Sequence, residues 1–278
     1  MGLGWLYLGF MVVDMVPRMD MGTMGPGMEV FNKFNMFSGL DPIVRAQLAS
    51  LCLPFAGDAF GMPALDGITF GDFALIFMMW IMMVLAMMLP SSTPMLKRYL
   101  SIQPGQGVLI VALGYVLVWA MFSFFVTALQ LALHKFGTLN EMMAPTIGSF
   151  AVTITIFTGI YQFTPWKLAC LARCRLPKVT KADHVEAGVI GALRFGIEQG
   201  VYCLGCCWAL MVLMFAVGVM NILWIAVLGL MMAFEKKTNS IWFTYCIGGA
   251  LILWGCANIY FSPTEFSLLD MLWVRLFR

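Results

Sequence analysis

Runs of apolar residues dominate the chain, and several are as long as a helix that crosses a lipid bilayer. Such a helix needs roughly 20 predominantly apolar residues, and it pairs its own backbone polar groups. The clearest candidates are Phe70–Leu89, Val108–Leu133, Ile147–Phe163, Val201–Met220, Ile222–Phe234 and Ile241–Phe261. A seventh stretch, Leu3–Val16, is shorter and contains Asp14. The sequence therefore predicts an all-α fold: a polytopic transmembrane helix bundle with six or seven spans.

The charge content indicates that the bilayer is the solvent for much of the surface. Only 11% of the 278 residues are charged, against about 25% in typical soluble domains. The formal net charge is +2, and no basic patch is interleaved with aromatic residues, so nucleic acid is not an expected partner. The chain also lacks a P-loop, a His-Glu-x-x-His and a Gly-x-Ser-x-Gly motif. We therefore expect the lipid bilayer itself to be a partner of the chain, and we do not expect the chain to be an enzyme.

The distribution of Lys and Arg orients the predicted spans. These residues concentrate after the first long span, in segment 166–200 and at Lys236 and Lys237, and cytoplasmic loops of membrane proteins carry an excess of them. If the spans alternate, all three segments share one side, which is then the cytoplasm and also holds the N-terminus. Glu235, beside the two lysines, is expected to be an interface residue.

This orientation divides the chain into three parts. Residues 1–69 are predicted to form an N-terminal helix followed by an external Met-rich segment. Residues 70–261 form the bundle, with a cytoplasmic Cys-containing loop at 166–200, and residues 262–278 are a tail. Within the loop, His184–Glu198 is expected to be an amphipathic helix at the membrane surface.

Five of the eight cysteines are spaced as ligands of a soft metal ion would be. They are Cys170, Cys174, Cys203, Cys206 and Cys207. The last three fall within about one helical turn at the start of the Val201 span, and the first two are separated by one turn of a short predicted helix. Thiolates select Cu(I), Zn²⁺ or iron–sulfur clusters, and the neighbouring Arg and Lys residues are expected to lower the thiol pKa values. The alternative is packing as small hydrophobic side chains, which is expected for the two cysteines of the last span.

Methionine thioethers supply further soft donors among the 25 methionines of the chain. Met211 and Met214 continue the cysteine-bearing face, and Met87 lies on the Phe70 helix. Met19, Met21 and Met24 lie in a Gly-containing segment that we expect to be external and flexible, where thioethers remain usable ligands. Packing is the alternative for each of them. The expected cargo or cofactor is Cu(I), with zinc possible.

Three stretches of the chain resemble one bacterial family. They are Trp80–Met95, Tyr161–Cys174, and Gly200–Met211 continuing to Glu235-Lys236. In this order, over about residues 70–240, they resemble the predicted metal-binding integral membrane proteins known as DUF2182. The resemblance implies that the five cysteines above belong to that family's presumed metal site and that the chain resides in the bacterial inner membrane. It implies no defined activity.

Three functions are compatible with these patterns. The leading hypothesis is a copper-handling accessory or assembly component, or an accessory subunit, that serves partner subunits of a membrane metalloenzyme. A soft-metal-ion transporter is the second, and it requires a polar path through the bundle. The third is a purely structural subunit of a larger membrane complex, with cysteines that only pack.

Overall fold

The computed structural model describes residues 2–17, 20–34, 70–102, 107–135, 139, 148–176, 188–238 and 240–261. The α-helices in these ranges are α1 (Gly2–Met15), α2 (Phe70–Ile102), α3 (Gly107–Lys135), α4 (Gly148–Tyr161), α5 (Pro165–Arg175), α6 (Gly188–Val212), α7 (Met214–Val217), α8 (Ile222–Lys237) and α9 (Ile241–Phe261). Two 3-10 helices, Met21–Met24 and Met28–Phe34, follow α1. The predicted all-α helix bundle is confirmed.

Four helical stretches are long and apolar enough to cross a membrane. They are α2, α3, α6 together with α7, and α9. Two shorter apolar helices, α1 and α4, have 14 residues each, and α8 has 16. Six or seven spans therefore stay a prediction, as do the boundaries at residues 69 and 262, which lie beside residues outside the described ranges.

Contacts between helices fix how they run past one another. Tyr161 Oη donates to the Gly205 carbonyl at 2.5 Å, and Thr158 Oγ1 donates to the Ala209 carbonyl at 3.2 Å. Helix α4 is therefore antiparallel to α6. Helices α3 and α6 run parallel, and the middle of α6 faces the first half of α3.

Glycines let α3 and α6 approach closely. A Cβ atom added to Gly196 would collide with the Val111 carbonyl, and one added to Gly114 would lie 2.6 Å from the Leu193 carbonyl oxygen. Small residues on facing helices are the usual means of close packing between apolar helices. This interface places the Cys203–Cys207 region of α6 against Tyr115 of α3.

Helix α2 continues past the point where the apolar pattern ends, through Pro90 and Pro94 to Ile102. A proline removes the N–H that would pair with the carbonyl four residues earlier, so Pro94 leaves the Pro90 carbonyl without its helical donor. Thr93 Oγ1 supplies a donor to that carbonyl at 2.7 Å. Hydroxyl side chains commonly satisfy such freed groups in apolar helices, which explains why the span predicted to end at Leu89 is longer.

Helix α6 also differs from expectation. It begins at Gly188 rather than at Val201, so residues 188–198 belong to this long helix and do not form a separate amphipathic one. Residues 184–187 of the predicted amphipathic stretch lie outside the described residues. The cysteines of α6 consequently lie in the interior of a helix and not at its start.

The Met-rich segment after α1 is folded, which corrects the expectation of a flexible one. Asp20 Oδ1 accepts hydrogen bonds from the Gly22 N–H and from Asn32 Nδ2, and Asn221 Nδ2 donates to the Pro26 carbonyl at 3.0 Å. Met21 and Met24 are buried in the core, and the turn between α7 and α8 packs against Met24. Met19 lies outside the described residues.

Replacing Gly196 with Ala should separate α3 from α6, since the added methyl group meets backbone that cannot rotate away. Overpacking of this kind costs about 1–3 kcal/mol, and the apparent Tm of the detergent-purified protein should fall by several degrees. Gly249→Ala is the matched control, because a Cβ there meets none of the residues that the structure describes within 4 Å. Equal Tm values for the two variants would contradict the proposed close packing.

Candidate functional site

The five predicted cysteines meet where α5 packs on α6. Cys206 Sγ lies 3.9 Å from Cys174 Sγ and 3.3 Å from Cys207 Sγ. Cys170 Sγ lies against Gly205, where an added Cβ would be only 2.7 Å from the sulfur. We call Cys170, Cys174, Cys203, Cys206 and Cys207 the thiol cluster. Gly205 leaves room for this sulfur, because an added Cβ would force either the Cys170 side chain or α5 to shift.

The local sequence explains how α5 presents its cysteines. Thr164 caps the helix, with its Oγ1 accepting the Lys167 N–H at 3.4 Å, and Pro165 occupies the first turn. A hydroxyl cap followed by proline is a strong helix start. Cys170 and Cys174 then follow one turn apart on the side that faces α6.

Burial differs across the thiol cluster. Cys203, Cys206 and Cys207 are almost fully enclosed, whereas Cys170 and Cys174 are half-buried. Tyr161 and Trp208 pack edge to face at 5.1 Å beside the cluster. The two α5 cysteines therefore form the more accessible rim of a site whose floor is α6.

Cys203 has two polar neighbours that the cysteine pattern does not reveal. Lys236 Nζ donates to Cys203 Sγ at 2.9 Å, and Tyr115 Oη lies 2.9 Å from the same sulfur. Lys236 Nζ also donates to Ser91 Oγ at 2.8 Å. An ammonium group in contact with a buried sulfur favours the thiolate, which is the form that binds metals.

A buried ion pair holds α5 against the end of α8. Lys167 Nζ and Glu235 Oε2 are 2.9 Å apart, and both side chains are 0% exposed. Arg175 donates from Nε and Nη2 to the Glu235 carbonyl at 3.0 and 2.7 Å, which caps a helix end whose carbonyls lack donors. The expectation that Glu235 is an interface residue is wrong, because Lys167 draws it into the interior.

The cations near α5 do not act on its thiols as expected. Burial raises the pKa of Cys170, and the hydrogen bond shared with Cys203 raises the pKa of Cys174 well above its usual range. The expectation of lowered pKa values for this pair is wrong. The reason is that Lys167 and Arg175 are engaged with Glu235, while Arg173 lies over the Tyr202 ring at 5.7 Å.

The sulfur separations fit a metal ion only in part. Two thiolate sulfurs bound to one ion at ~2.3 Å lie about 4 Å apart at a trigonal angle. The Cys174–Cys206 distance of 3.9 Å matches this separation, and the Cys206–Cys207 distance of 3.3 Å is too short. Accordingly, no group of three His, Cys, Asp or Glu side chains is preformed as a metal site within the described residues. Binding by three thiols requires a side-chain rotation.

The predicted methionine ligands lie in the core. Met87, Met211 and Met214 are at most 1% exposed, and Met87 packs against α8 at Gly229. This is the environment of packing residues, and their role as metal ligands stays a prediction. Cys246 and Cys256, which were expected to be packed, are exposed on α9.

Replacing Lys167 with Met should destabilise the protein strongly, by about 3–5 kcal/mol, because it leaves the Glu235 carboxylate buried and unpaired. The double variant Lys167→Met, Glu235→Gln should recover much of this loss. Thermal unfolding in detergent measures both, with Arg194→Ala as the control for a pair that is exposed. A single variant as stable as the control would contradict the structural role of the pair.

Comparison with known proteins assigns the chain to a family. A family model described as "PpoB2: Copper chaperone" matches residues 77–258, a range that contains all five cysteines and Lys236. No curated protein and no solved structure matches the chain. The match supports copper as the relevant metal, and it covers well over half of the sequence. The chain belongs to the PpoB2 copper chaperone family.

Proposed function

We propose that this chain is a multi-pass protein of the bacterial inner membrane that binds Cu(I) at the thiol cluster and passes it to a membrane metalloenzyme. The observation that carries the proposal is the convergence of five cysteines from α5 and α6. The family supports copper as cargo. The four long apolar stretches support the membrane location.

The donor set favours Cu(I) over Zn²⁺. Structural zinc sites are closed by four ligands in a tetrahedron, and the described residues contain no preformed group of that kind. Thiolates bind both ions, but Cu(I) needs only two or three sulfur ligands, and the Cys174–Cys206 pair already has a suitable separation. Zinc is therefore the weaker candidate for this site.

The difference in burial supports hand-off rather than permanent storage. A donated ion first meets the half-buried Cys170 and Cys174 and then the enclosed cysteines of α6. Release follows the reverse order, as thiols of a partner replace the rim thiols one at a time. A resident cofactor would need no such graded rim.

Metal content tests the proposal. Purified without oxygen in mild detergent and supplied with Cu(I), the protein should hold about one copper per chain by mass spectrometry. A variant with Cys203, Cys206 and Cys207 replaced by Ser should hold none. Its matched control, Cys246→Ser with Cys256→Ser, removes two exposed thiols of α9 and should keep the metal.

Two results would contradict copper binding at the thiol cluster. Equal copper in the triple variant and in the control would place the metal elsewhere. No copper in any sample, with a partner protein in the same chromatographic peak, would favour a structural subunit. Copper lost only from the triple variant is the outcome that we expect.

A second candidate function, transport of a soft metal ion, is favoured by a polar face on α3. Buried atoms of four residues on this face lack a hydrogen-bond partner among the described residues: Trp119 Nε1, Thr127 Oγ1, Gln130 Nε2 and His134 Nδ1. Buried polar atoms of this kind call for water or an ion as partner. The face begins at Trp119, one turn after Tyr115, and continues along α3 away from the thiol cluster.

Flux measurements in proteoliposomes separate the two functions. The hand-off proposal predicts no net Cu(I) or Ag(I) flux above that of protein-free vesicles. Flux that is present in the wild type and falls several-fold in Thr127→Val would establish transport. This variant preserves the shape of the side chain and removes a hydroxyl that has no hydrogen-bond partner in the described part of the chain, so its fold should be unaffected.

A further inference from the structure

Lys236 brings a positive charge to the thiol cluster from the last turn of α8. Its Nζ contacts Cys203 Sγ at 2.9 Å and Ser91 Oγ at 2.8 Å. The residues on either side have different surroundings, since Glu235 is buried against Lys167 and Lys237 is exposed. The ammonium group is thus directed at one buried sulfur of the thiol cluster, which also contacts Tyr115 of α3.

The position of this ammonium group is costly without its sulfur partner. A buried charge is tolerated only where it is paired and hydrogen-bonded. Of the two hydrogen-bond partners of Lys236 Nζ in the described part of the chain, Ser91 is neutral and the Cys203 sulfur can carry a negative charge. The pairing therefore depends on Cys203 being free of any other cation.

The Lys236 side chain can also reach the protein surface. Lys236 is the penultimate residue of α8 and is only half-buried. Its four-carbon stem is flexible. Rotation about the stem can carry the ammonium group to the surface where Lys237 is already exposed. Lysine side chains commonly place their stems along apolar surface with the charge in water.

We propose that Lys236 is a displaceable counter-ion of the empty thiol cluster. The ammonium group neutralises Cys203 until Cu(I) arrives, and it then moves to the surface at the end of α8. In this step one Cu–S bond forms, the Nζ–Sγ hydrogen bond breaks, and no electron is transferred. One monovalent cation replaces another at the sulfur, so the charge next to Cys203 is unchanged. This inference rests on the proposed function.

The displacement gives the site a means of release. As a partner's thiols withdraw the copper, the ammonium group returns to Cys203, so that the vacated sulfur is never left as an unpaired buried charge. A site without such a counter-ion would need a proton to arrive at the same moment. Lys236 is thus a positioning residue for cargo exchange and not itself a ligand.

Amine labelling tests the inference on the wild-type chain in detergent. A water-soluble acetylating reagent is applied with and without Ag(I), a redox-inert probe for Cu(I), and modification at Lys236 and Lys237 is read by peptide mass spectrometry. Without metal, Lys236 should react roughly 10- to 100-fold more slowly than Lys237, as expected for a buried hydrogen bond to a charged group. With bound Ag(I), its rate should rise at least about tenfold, while that of Lys237 stays constant.

Replacing Cys203 provides a second, independent test of the role of Lys236. In Cys203→Ser the ammonium group loses its charged partner, so Lys236 should be labelled rapidly without metal. Cys246→Ser, on the exposed face of α9, should leave the protection intact. Persisting protection in Cys203→Ser would overturn the inference.

The metal bound in each labelled sample separates this inference from the proposed function. Ag(I) bound with Lys236 still protected overturns the counter-ion role and leaves copper handling in place. Equal reactivity of Lys236 and Lys237 in the metal-free protein also overturns it. Absence of bound metal at saturating Ag(I) overturns the proposed function and the counter-ion role together.

Discussion

The ion pair between Lys167 and Glu235 is the contact on which the geometry of the site depends. It joins α5 to the last turns of α8 at 2.9 Å in a fully buried position, and Arg175 reinforces it by capping the Glu235 carbonyl. Because α5 is held in this way, its two cysteines face α6. Because α8 is held, the next residue, Lys236, points at Cys203. One electrostatic contact thus positions both the sulfur donors and their counter-charge.

Much of the fold follows from apolar periodicity, and the departures have local causes. Helix α9 begins and ends where the apolar run does, at Ile241 and Phe261. Helix α2 runs past Pro94 because the Thr93 hydroxyl replaces the backbone donor that Pro94 lacks. A hydropathy pattern does not show this compensation. The Met-rich segment after α1 is folded because Asp20 accepts hydrogen bonds from Gly22 and Asn32 within it, and because Asn221 holds Pro26 from the turn before α8. Its composition alone resembles that of an exposed loop.

The cysteines of the candidate site can be predicted from the sequence, whereas the positions of its charged side chains cannot. Helical spacing predicts that Cys203 and Cys207 lie on one face of a helix. The family resemblance implies that Cys170 and Cys174 belong to the same site. From the sequence, Lys236 and Lys237 serve only to indicate the cytoplasmic side, because both follow an apolar span. The available signal was that a resembling motif string runs on through Glu235-Lys236, and that ionisable residues beside apolar spans often mark functional sites. Which of the two lysines turns inward depends on Glu235 and Lys167 and is not readable from the pattern.

Copper-edge X-ray absorption of the Cu(I)-loaded protein tests the central claim most directly, because it reports the atoms bound to the metal. Binding within the thiol cluster predicts a first shell of two or three sulfurs with no nitrogen or oxygen, which loses its sulfur signal when Cys203, Cys206 and Cys207 are replaced by Ser. A shell containing nitrogen or oxygen, or a sulfur shell that survives these replacements, would contradict copper binding at the thiol cluster.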